Sequence, residues 1–320
     1  MNLFTLTLNV AVDQTITVDK LTLGAVHRAR SASYAAGGKG VNAAACLADW
    51  GLPVAACGFL GRENAAFFED FLSEKKVEDR FVRVDGASRT NVKLVDGDDT
   101  TDINLPGIKV GRAALAALDG ILDDFAARGA MFPGLAALSG SLPTGCPEDI
   151  YARQVKKLTQ AGFRVILDAS GPALRAALAA PILPFCIKPN RHEIEEWAGR
   201  KLEGPGMVLE AARGLRRRGV ALVVVSLGRE GAWFVAEEGA LLAWAEAPNI
   251  VSTVGAGDAM VAGIAAALAE GASLERIARL STAFSLGKLG RIGSGLPDRE
   301  TLEGFAGRVE LRPASALDPI

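Results

Sequence analysis

Ser252-Thr253-Val254-Gly255-Ala256-Gly257-Asp258 is a glycine-rich turn that leads directly into the apolar run 259–268. An apolar run of this length after such a turn predicts a buried helix whose first turn contains Asp258. The backbone N–H groups of a first helical turn lack intrahelical acceptors, and glycines let a phosphate approach them closely. Gly255, Ala256 and Gly257 are therefore predicted to form an anion hole.

Asp258 has two interpretations at this position. As a simple N-cap it would only satisfy backbone donors of the helix. An acid beside an anion hole would repel the anion, however, so it is unfavourable for simple anion binding. Its presence is explained if it accepts the proton of a hydroxyl group that attacks the phosphorus. The second interpretation predicts that Asp258 is the catalytic base of a phosphoryl transfer.

The composition narrows the class of protein. A chain of 320 residues, 49% of them apolar, is long enough for one large α/β domain with a substantial core. A net charge of -2 argues against nucleic acid or an anionic membrane as the partner. The N-terminus has a strand pattern, and no apolar stretch approaches the ~18 residues of a membrane span. Four cysteines without a CxxC pair predict buried, reduced thiols and a cytoplasmic location.

Helix and strand patterns alternate along most of the chain. Helices are predicted at 40–50, 63–76, 111–127, 147–161, 171–180, 190–199, 206–218, 258–269, 273–288 and 298–308. Strands are predicted at 3–8, 54–60, 134–139, 163–168, 183–188, 220–226, 231–236 and 240–246. This alternation predicts an α/β fold whose mainly parallel sheet is covered on both faces.

Two β-rich segments, about 14–33 and 89–106, do not fit the alternation. We expect them to form a small projecting β-sheet that acts as a lid or as a subunit contact. The chain is then a single domain over residues 1–312, and residues 313–320 are expected to be a loose tail.

Gly37-Gly38-Lys39-Gly40-Val41-Asn42 opens the helix at 40–50, and glycines with a lysine at a helix start suit an anionic group. The pattern Gly38-x-Gly40-x-x-Ala43 also matches the dinucleotide fingerprint loosely, which leaves an NAD-dependent oxidoreductase open. A P-loop is excluded because Gly-x-x-x-x-Gly-Lys-Ser/Thr does not occur. Two isolated histidines are too few for a zinc site or Ser-His-Asp chemistry.

Polar residues also follow later strands, where α/β sheets bind ligands. After the strand at 183–188, Asn190 and Glu193 offer hard oxygens for Mg²⁺ held largely through water, or else form a capping box. Ser226-Leu227-Gly228, with Gly231 nearby, fits either a turn that admits a nucleotide phosphate or an ordinary hairpin turn. Arg89 and Lys93 share one strand face, which predicts an anion site or a solvated surface.

In their order and content these segments resemble the PfkB (ribokinase-like) carbohydrate kinases. The resemblance covers roughly residues 1–310 and is carried by Gly37-Gly38-Lys39-Gly40-Val41-Asn42-Ala43-Ala44, Ser139-Gly140-Ser141-Leu142-Pro143, Lys188-Pro189-Asn190 with Glu193, Ser226-Leu227-Gly228 and Ser252–Asp258. It implies a ribokinase-like fold and phosphorylation of a sugar by ATP.

Within the family the chain is similar to the branch of bacterial 1-phosphofructokinases and tagatose-6-phosphate kinases, because Lys39, the run 89–93 and Lys188 supply cations that an uncharged sugar does not need. The implied reaction converts fructose 1-phosphate to fructose 1,6-bisphosphate, with tagatose 6-phosphate or fructose 6-phosphate as alternative substrates. Two segments depart from the family pattern: Val10 replaces a proline and His27 replaces an asparagine.

The resemblance also implies roles for individual residues. Asp258 is the base, beside the anion hole formed by Gly255, Ala256 and Gly257. The sugar phosphate is expected to contact Asp13, Arg28, Gly38, Lys39, Asn42, Arg89 and Ser139, with Lys39 and Arg89 holding its phosphate. ATP is expected to contact Lys188, Asn190, Ser226, Gly228 and Gly231. Mg²⁺ is assigned to Asn190 and Glu193, and a monovalent cation, K⁺, to the carbonyls near Ser252 and Val254.

The expected partners are a phosphorylated ketose, ATP and a second copy of the chain, which would form a homodimer through the lid sheet. Neither nucleic acid nor a membrane is expected to bind. Two functions of another class remain as alternatives: the NAD-dependent oxidoreductase and a sugar-phosphate sensor without activity. The intact Asp258 argues against the sensor.

Overall fold

The computed structural model describes residues 2–97, 99–129, 134–247, 250, 252–291, 293 and 295–316. The helices in these ranges are α1 (Lys39–Asp49), α2 (Ala65–Glu74), α3 (Arg112–Gly129), α4 (Ile150–Gln160), α5 (Gly171–Ala179), α6 (Arg191–Ala198), α7 (Gly204–Arg217), α8 (Ala256–Ala269), α9 (Leu274–Leu289) and α10 (Arg299–Arg308). The strands are β1 (Asn2–Thr7), β2 (Ala11–Val18), β3 (Ser31–Gly37), β4 (Ala55–Gly61), β5 (Glu78–Val84), β6 (Arg89–Asp96), β7 (Asp99–Asn104), β8 (Gly134–Ser139), β9 (Phe163–Asp168), β10 (Cys186–Ile187), β11 (Leu222–Ser226), β12 (Ala232–Ala236), β13 (Gly239–Trp244) and β14 (Glu310–Pro313).

The strands form two sheets. The central sheet has the order β14-β13-β12-β11-β10-β9-β8-β1-β4-β5. Every neighbouring pair from β11 to β5 is parallel, whereas β12, β13 and β14 pair antiparallel at one edge. The small sheet has the order β3-β2-β6-β7. This arrangement confirms the predicted α/β class, with a mainly parallel sheet and a second, separate sheet.

The central sheet separates two apolar cores. Along β1 the side chains of Phe4 and Leu6 enter one core, which also contains buried residues of α3 to α7, while Leu3 enters the opposite core with α1, α2 and α8 to α10. Successive side chains of a strand point to opposite faces, so helices on both sides are needed to cover such a sheet. The double covering follows directly from the apolar character of the parallel strands.

Helix α8 lies in the densest part of one core. Every residue from Asp258 to Leu268 is buried, and most are alanine or glycine. A Cβ atom on Gly263 would lie 2.5 Å from the Cα of Ser281 in α9, so the small side chain lets the two helices approach closely. Because α8 packs so closely against α9, its first turn is also buried, and Asp258 is only 9% exposed.

The element boundaries differ from the sequence prediction mainly at the edges of the sheet. Two strands were not predicted, β5 and β14, and they are the two edge strands. The strand predicted at 183–188 is limited to Cys186–Ile187. Strand β5 carries charged residues, including Arg83 paired with Asp79, which native proteins place on edge strands and which hide the apolar pattern of a strand.

The lid segments and the tail also have observed limits. Ala11–Val18 and Ser31–Gly37 form β2 and β3, and Arg89–Asp96 and Asp99–Asn104 form β6 and β7. At the C-terminus, β14 includes Pro313, and a short 3₁₀ turn, Ala314–Ala316, follows it, so regular structure continues past residue 312. Residues 317–320, which the tail prediction includes, lie outside the described residues. Among the described helices, none is both long enough and apolar enough to cross a bilayer.

Candidate active site

Polar residues end four neighbouring strands of the central sheet. Thr7, Ser139 and Asp168 are the last residues of β1, β8 and β9, and they are register partners across the sheet. Lys188 follows β10 directly. The carboxyl ends of parallel strands are where α/β sheets bind ligands. Thr7 Oγ1, Ser139 Oγ and Asp168 Oδ2 are all buried without a hydrogen-bond partner among the described residues, which indicates that a polar ligand belongs here.

Glycines bring the start of α1 onto this row of strand ends. Gly38, at φ 117°, is the N-cap of α1, and a Cβ atom on it would lie 3.0 Å from Thr7 Cγ2. A Cβ atom on Gly40 would lie 2.4 Å from Thr7 Oγ1. Only glycine fits at these two positions without displacing β1. Lys39 and Asn42 are thereby held above the ends of β1, β8 and β9.

The start of α8 meets the start of α1 at the catalytic candidate. Gly255 has a left-handed conformation, φ 78°, and is the N-cap of α8. Asp258 lies in the first turn, and its carboxylate accepts a hydrogen bond of 2.8 Å from Asn42 Nδ2. A Cβ atom on Gly257 would lie 3.5 Å from Lys188 Nζ, so a lysine ammonium lies beside the amide groups of this turn.

A buried carboxylate, Asp168, holds two of the lysines. Lys39 Nζ and Lys188 Nζ lie 3.2 Å and 3.4 Å from the same oxygen, Oδ1. Burial alone would raise the pKa of Asp168, but Lys188 and Lys39 outweigh burial and hold it below its usual value. Burial likewise opposes the charge of Lys39, but Asp168, Asp258 and Glu193 raise its pKa above the ordinary value. Asp168 and Lys39 therefore stay charged at neutral pH.

Asp258 differs from Asp168 because, among the described residues, its carboxylate forms no direct ion pair. Burial raises its pKa from 3.8 to about 6, while the charge of Lys39 and the hydrogen bond from Asn42 limit the rise. Such a carboxylate is largely ionised at pH 7 but retains a substantial affinity for a proton. This is the property required of a general base.

The small sheet and α8 enclose a cleft of about 120 Å³, lined by Asp13, Thr15, Ser33, Tyr34, Ala35, Asn42, Lys93, Ser252, Val254, Gly255, Lys288 and Gly293. Asp13 Oδ1 accepts a hydrogen bond of 3.0 Å from Asn91 Nδ2, and a Cβ atom on Gly37 would lie 2.5 Å from Asp13 Oδ2. A larger groove of about 250 Å³ lies between α3 and α4 and is lined by none of these residues.

Arg89 is the first residue of β6, the strand that pairs with the Asp13 strand β2 in the small sheet. Its Nη1 donates to the carbonyl of Leu105 at 3.4 Å, while its Nε is buried without a partner in the described part of the chain. Burial lowers the pKa of Arg89, and the charge of Asp13 partly offsets this effect. A partly desolvated guanidinium with an unused donor is a suitable ligand for an anion.

The residues assigned to ATP and Mg²⁺ lie at the ends of β10 and β11. Asn190 and Ser226 pair through an isolated parallel bridge. Asn190 and Glu193 form a capping box at the start of α6, with bonds of 2.8 Å and 2.9 Å, so the local interpretation of this pair is realised. Glu193 also contributes to the raised pKa of Lys39, which places its charge near the lysines.

Gly228 begins the 3₁₀ turn Gly228–Glu230 between β11 and β12, and Gly231 follows it. Gly228 has φ 61° and open space around it, so its position leaves room for a ligand. A Cβ atom on Gly231 would lie 2.1 Å from the carbonyl oxygen of Ala243, so this glycine is required by the packing of the neighbouring strand. Across the described ranges, no group of three or more His, Cys, Asp or Glu side chains could hold a metal ion.

The residues predicted to hold the sugar phosphate have different surroundings. Asp168, Asp258 and Glu193 act on the charge of Lys39, whereas Asp13 acts on that of Arg89. Arg28 is exposed in the loop between β2 and β3. In the same loop His27 bonds to the backbone of Thr22, with its Nε2 3.1 Å from the Thr22 amide nitrogen.

Sequence reasoning missed three polar residues of this region: Asn91, Asp168 and Lys288. Asp168 ends an apolar strand, and the position of that strand in the sheet would have marked it as a ligand position. Asn91 lies between Arg89 and Lys93 on one strand face and was passed over for its charged neighbours. Lys288 gives no signal, because it looks like an ordinary cation in the last turn of a helix.

The observed topology does not support the dinucleotide alternative. A dinucleotide fingerprint must join a strand of the parallel sheet to its helix. Here the strand before Gly38 is β3, which pairs antiparallel with β2 in the small sheet and does not belong to the central sheet.

The raised pKa of Asp258 predicts a pH-dependent stabilisation by Asp258→Asn. Because the folded pKa, about 6, exceeds the ordinary 3.8, protonated Asp258 stabilises the fold below pH 3.8, and this contribution is lost as the pH rises through 6. Asparagine stays neutral, so its advantage in the free energy of unfolding should grow between about pH 4 and 6 and reach about 1–3 kcal/mol. Urea unfolding of both proteins at several pH values measures this advantage.

The fully exposed Asp85 provides the control, since Asp85→Asn should give no such pH-dependent gain. A stability difference between wild type and Asp258→Asn that stays constant from about pH 4 to 8 would show that the carboxylate is not desolvated.

Comparison with known proteins agrees with this geometry. The sequence profile of the pfkB family carbohydrate kinases matches residues 6–301. The chain is 51% identical over 308 residues to a 1-phosphofructokinase of Xanthomonas campestris pv. campestris, with 94% of each chain covered. It is 27% identical to the structure of phosphofructokinase-2 from Escherichia coli in complex with potassium, with a TM-score of 0.84 over 96% of this chain and 98% of that one.

The ribokinase of Arabidopsis thaliana, complexed with ribose and ATP, is 22% identical and shares the fold, with a TM-score of 0.76 over 96% of this chain and 99% of that one. The family predicted from the order of the motifs is thus confirmed. The profile match covers most of the sequence, and the chain belongs to the pfkB family of carbohydrate kinases.

Proposed function

We propose that this carbohydrate kinase transfers a phosphoryl group from ATP to fructose 1-phosphate and forms fructose 1,6-bisphosphate. The observation that carries the proposal is Asp258, a buried carboxylate with a pKa of about 6 in the first turn of α8. The similarity to a 1-phosphofructokinase over 94% of the chain supports the choice of sugar. All four cysteines are free, which suits the reducing cytoplasm that we propose as the location.

Asp258 acts as the general base in this proposal. Its carboxylate accepts the proton of the attacking sugar hydroxyl as the bond to phosphorus forms, a role worth about 10²–10⁴-fold in rate. Asn42 Nδ2, 2.8 Å away, fixes the orientation of the carboxylate and leaves the other oxygen for the hydroxyl. The raised pKa makes this proton transfer easier than it would be for an exposed aspartate.

The lysines and the amide groups stabilise the charge of the moving phosphoryl group. Phosphoryl transfer depends mainly on positioning and electrostatic stabilisation. In this proposal the N–H groups at Gly255, Ala256 and Gly257 face this charge, although that of Ala256 also donates to the carbonyl of Thr253 at 3.5 Å. Lys188 Nζ lies close to Gly257. We assign Lys39 to the transferred group as well as to the sugar phosphate, because the acids that act on it include Asp258 and Glu193.

Membership in a kinase family implies ATP and a divalent metal ion, and the residues present fit both. Lys188, Asn190, Ser226, Gly228 and Gly231 lie along the ends of β10 and β11, where the triphosphate would bind. We assign Mg²⁺ to Asn190 and Glu193, held mainly through water. When bound, the metal ion supplies positive charge that offsets the charge of the phosphates. The unpartnered Asp168 Oδ2 provides a further hard oxygen nearby.

The sugar phosphate would lie in the cleft between the small sheet and α8. Asp13, Gly38, Asn42 and Ser139 would orient the sugar ring, with Asn91 holding Asp13 in place. Arg89 would bind the existing phosphate through its unpartnered Nε. Arg28 would join it if the loop between β2 and β3 closes over the cleft, which also excludes water and limits hydrolysis of ATP.

A panel of phosphosugars tests the reaction. With Mg²⁺ and ATP, release of ADP should be at least about tenfold more efficient, in kcat/KM, for fructose 1-phosphate than for fructose 6-phosphate or tagatose 6-phosphate. If a 6-phosphate is the preferred substrate, the assignment of fructose 1-phosphate is wrong.

Asp258→Asn should lower kcat by about 10²–10⁴-fold with little change in ATP binding. If Asp258→Asn turns over at a near-normal rate, Asp258 is not the general base.

Arg89→Ala tests the site of the sugar phosphate. Loss of a charge-assisted contact should raise KM for fructose 1-phosphate about tenfold or more and leave KM for ATP within about twofold. Steady-state kinetics in both substrates measure the two effects. Arg62→Ala is the matched control, because Arg62 is exposed and paired with Asp85 away from the cleft. If both KM values rise together, Arg89 does not bind the sugar phosphate.

We further propose a homodimer that forms through the lid sheet. Of the exposed large apolar side chains in the described residues, most belong to the small sheet or its loops: Leu23, Val26, Tyr34, Ile103 and Leu105. An apolar patch of this kind on a soluble protein usually marks an interaction surface. A two-fold axis would bury the same patch of both copies.

Light scattering after gel filtration tests this assembly. The wild-type protein should have twice the 33.3 kDa mass of the chain, and Ile103→Asp should shift it toward the monomer. Phe67→Ser, an exposed apolar residue of α2, should leave the mass unchanged. A wild-type mass of one chain at about 50 μM would exclude a stable dimer.

A further inference from the structure

One face of α9 forms hydrogen bonds with the turn 252–257 that precedes Asp258. Ser285 Oγ donates to the carbonyl of Ala256 at 2.8 Å, and the amide of Ser252 donates to the carbonyl of Leu289 at 3.1 Å. Ser285, Lys288 and Leu289 are spaced i, i+3 and i+4, so they share one side of the helix. Lys288 therefore lies between the two bonds that fix the turn.

The side chain of Lys288 passes directly under Gly255. A Cβ atom on Gly255 would lie 2.9 Å from Lys288 Cε, and the lysine is only 3% exposed. Its ammonium donates to the backbone carbonyls of Gly293 and Arg291, and in the described part of the chain it bonds to these carbonyls and not to a carboxylate. The charges of Asp258 and Asp13 act on it from a greater distance.

A lysine at the protein surface could cap the C-terminus of α9 equally well, because an exposed ammonium can bond to the last carbonyls of a helix and keep its hydration. Burying an ammonium without a paired carboxylate costs free energy, and here burial lowers the pKa of Lys288. The position of the charge thus demands a reason beyond capping α9. The Lys288 ammonium places a positive charge next to two backbone carbonyls, beneath the turn that is proposed to bind phosphate. A bound monovalent ion would place the same charge among the same kind of ligands.

The resemblance to the family implied K⁺ beside Ser252 and Val254. The same cleft is lined by Ser252, Val254, Gly255, Lys288 and Gly293, so a permanent cation of this chain already lies there. A second cation at this place would be repelled by the first. The residues present therefore do not fit a bound K⁺.

We propose that the Lys288 ammonium is a built-in monovalent cation, which orders the carbonyls at 291 and 293 and supports the turn 252–257 in place of K⁺. Lys288 is a positioning residue, because it acts through Gly255 and the amide groups of the turn. The activity readout rests on the proposed kinase function. The inference predicts an enzyme whose turnover does not depend on potassium, and a dependence that appears when the ammonium is removed.

The test compares wild type with Lys288→Met, which keeps an unbranched apolar stem and removes the ammonium group. Both are assayed in KCl, NH₄Cl and choline chloride at equal ionic strength. Wild-type kcat should change less than about twofold among the salts. Lys288→Met should lose about tenfold or more in choline and recover in K⁺ or NH₄⁺, which are small enough to enter the space left by the ammonium.

Thermal unfolding without ATP or sugar gives a second readout that does not require activity. K⁺ should raise the Tm of Lys288→Met over its value in choline by about 2 °C or more, and should not raise that of wild type. Lys157→Met is the matched control, because Lys157 pairs with Asp119 and Asp123 on the outer helices and its loss should not create a response to K⁺.

Strong activation of wild type by K⁺ overturns the inference without any variant. So does a loss in Lys288→Met that appears as a higher KM for the sugar phosphate and is not restored by K⁺, because Lys288 would then bind substrate directly. If wild type phosphorylates none of the sugars in any salt, the proposed function fails, and the Tm response still decides the role of Lys288.

Discussion

The hydrogen bond between Asn42 and Asp258 is the contact on which the arrangement of this site depends. It joins the first turns of α1 and α8, which are 216 residues apart in the sequence, and both turns begin at glycines that allow close approach. The buried packing of α8 against α9 sets the depth of Asp258, and the start of α1 on the end of β1 sets the position of Asn42. Burial in the packed helices raises the pKa of Asp258, and the hydrogen bond from Asn42 limits that rise and fixes the orientation of the carboxylate.

The electrostatics of the site follow from how the buried charges are shared. Asp168 has two lysines within 3.4 Å and stays ionised, whereas Asp258 has only an amide partner and keeps a pKa of about 6. Two carboxylates with different environments are thus given different tasks: one holds lysines and the other is able to take a proton. Lys288 adds a third ammonium beneath the turn, so positive charge is concentrated where an anionic ligand would bind.

The small sheet supplies what the central sheet lacks. The strand ends of the central sheet offer hydroxyl, carboxylate and ammonium groups, while β2 and β6 bring Asp13, Asn91 and Arg89 to the opposite side of the cleft. The apolar side chains on the exposed side of this sheet are consistent with a second role as a subunit contact.

The sequence by itself determined the fold class, most helix boundaries and the glycine-rich helix start that contains Asp258, because apolar periodicity and glycine positions are local properties of the chain. It also indicated Asn42, Lys188 and Arg89 as polar residues of a site. The edge strands β5 and β14 were missed, since charges on an edge strand conceal its pattern.

Only the tertiary structure decided which charges act on one another. That Lys39 pairs with Asp168, that Arg89 interacts with Asp13, and that Lys288 lies under Gly255 all depend on distances between segments far apart in the chain. A pKa and an ion pair are set by burial and by neighbours in space, and neither is encoded by the spacing of residues along one segment.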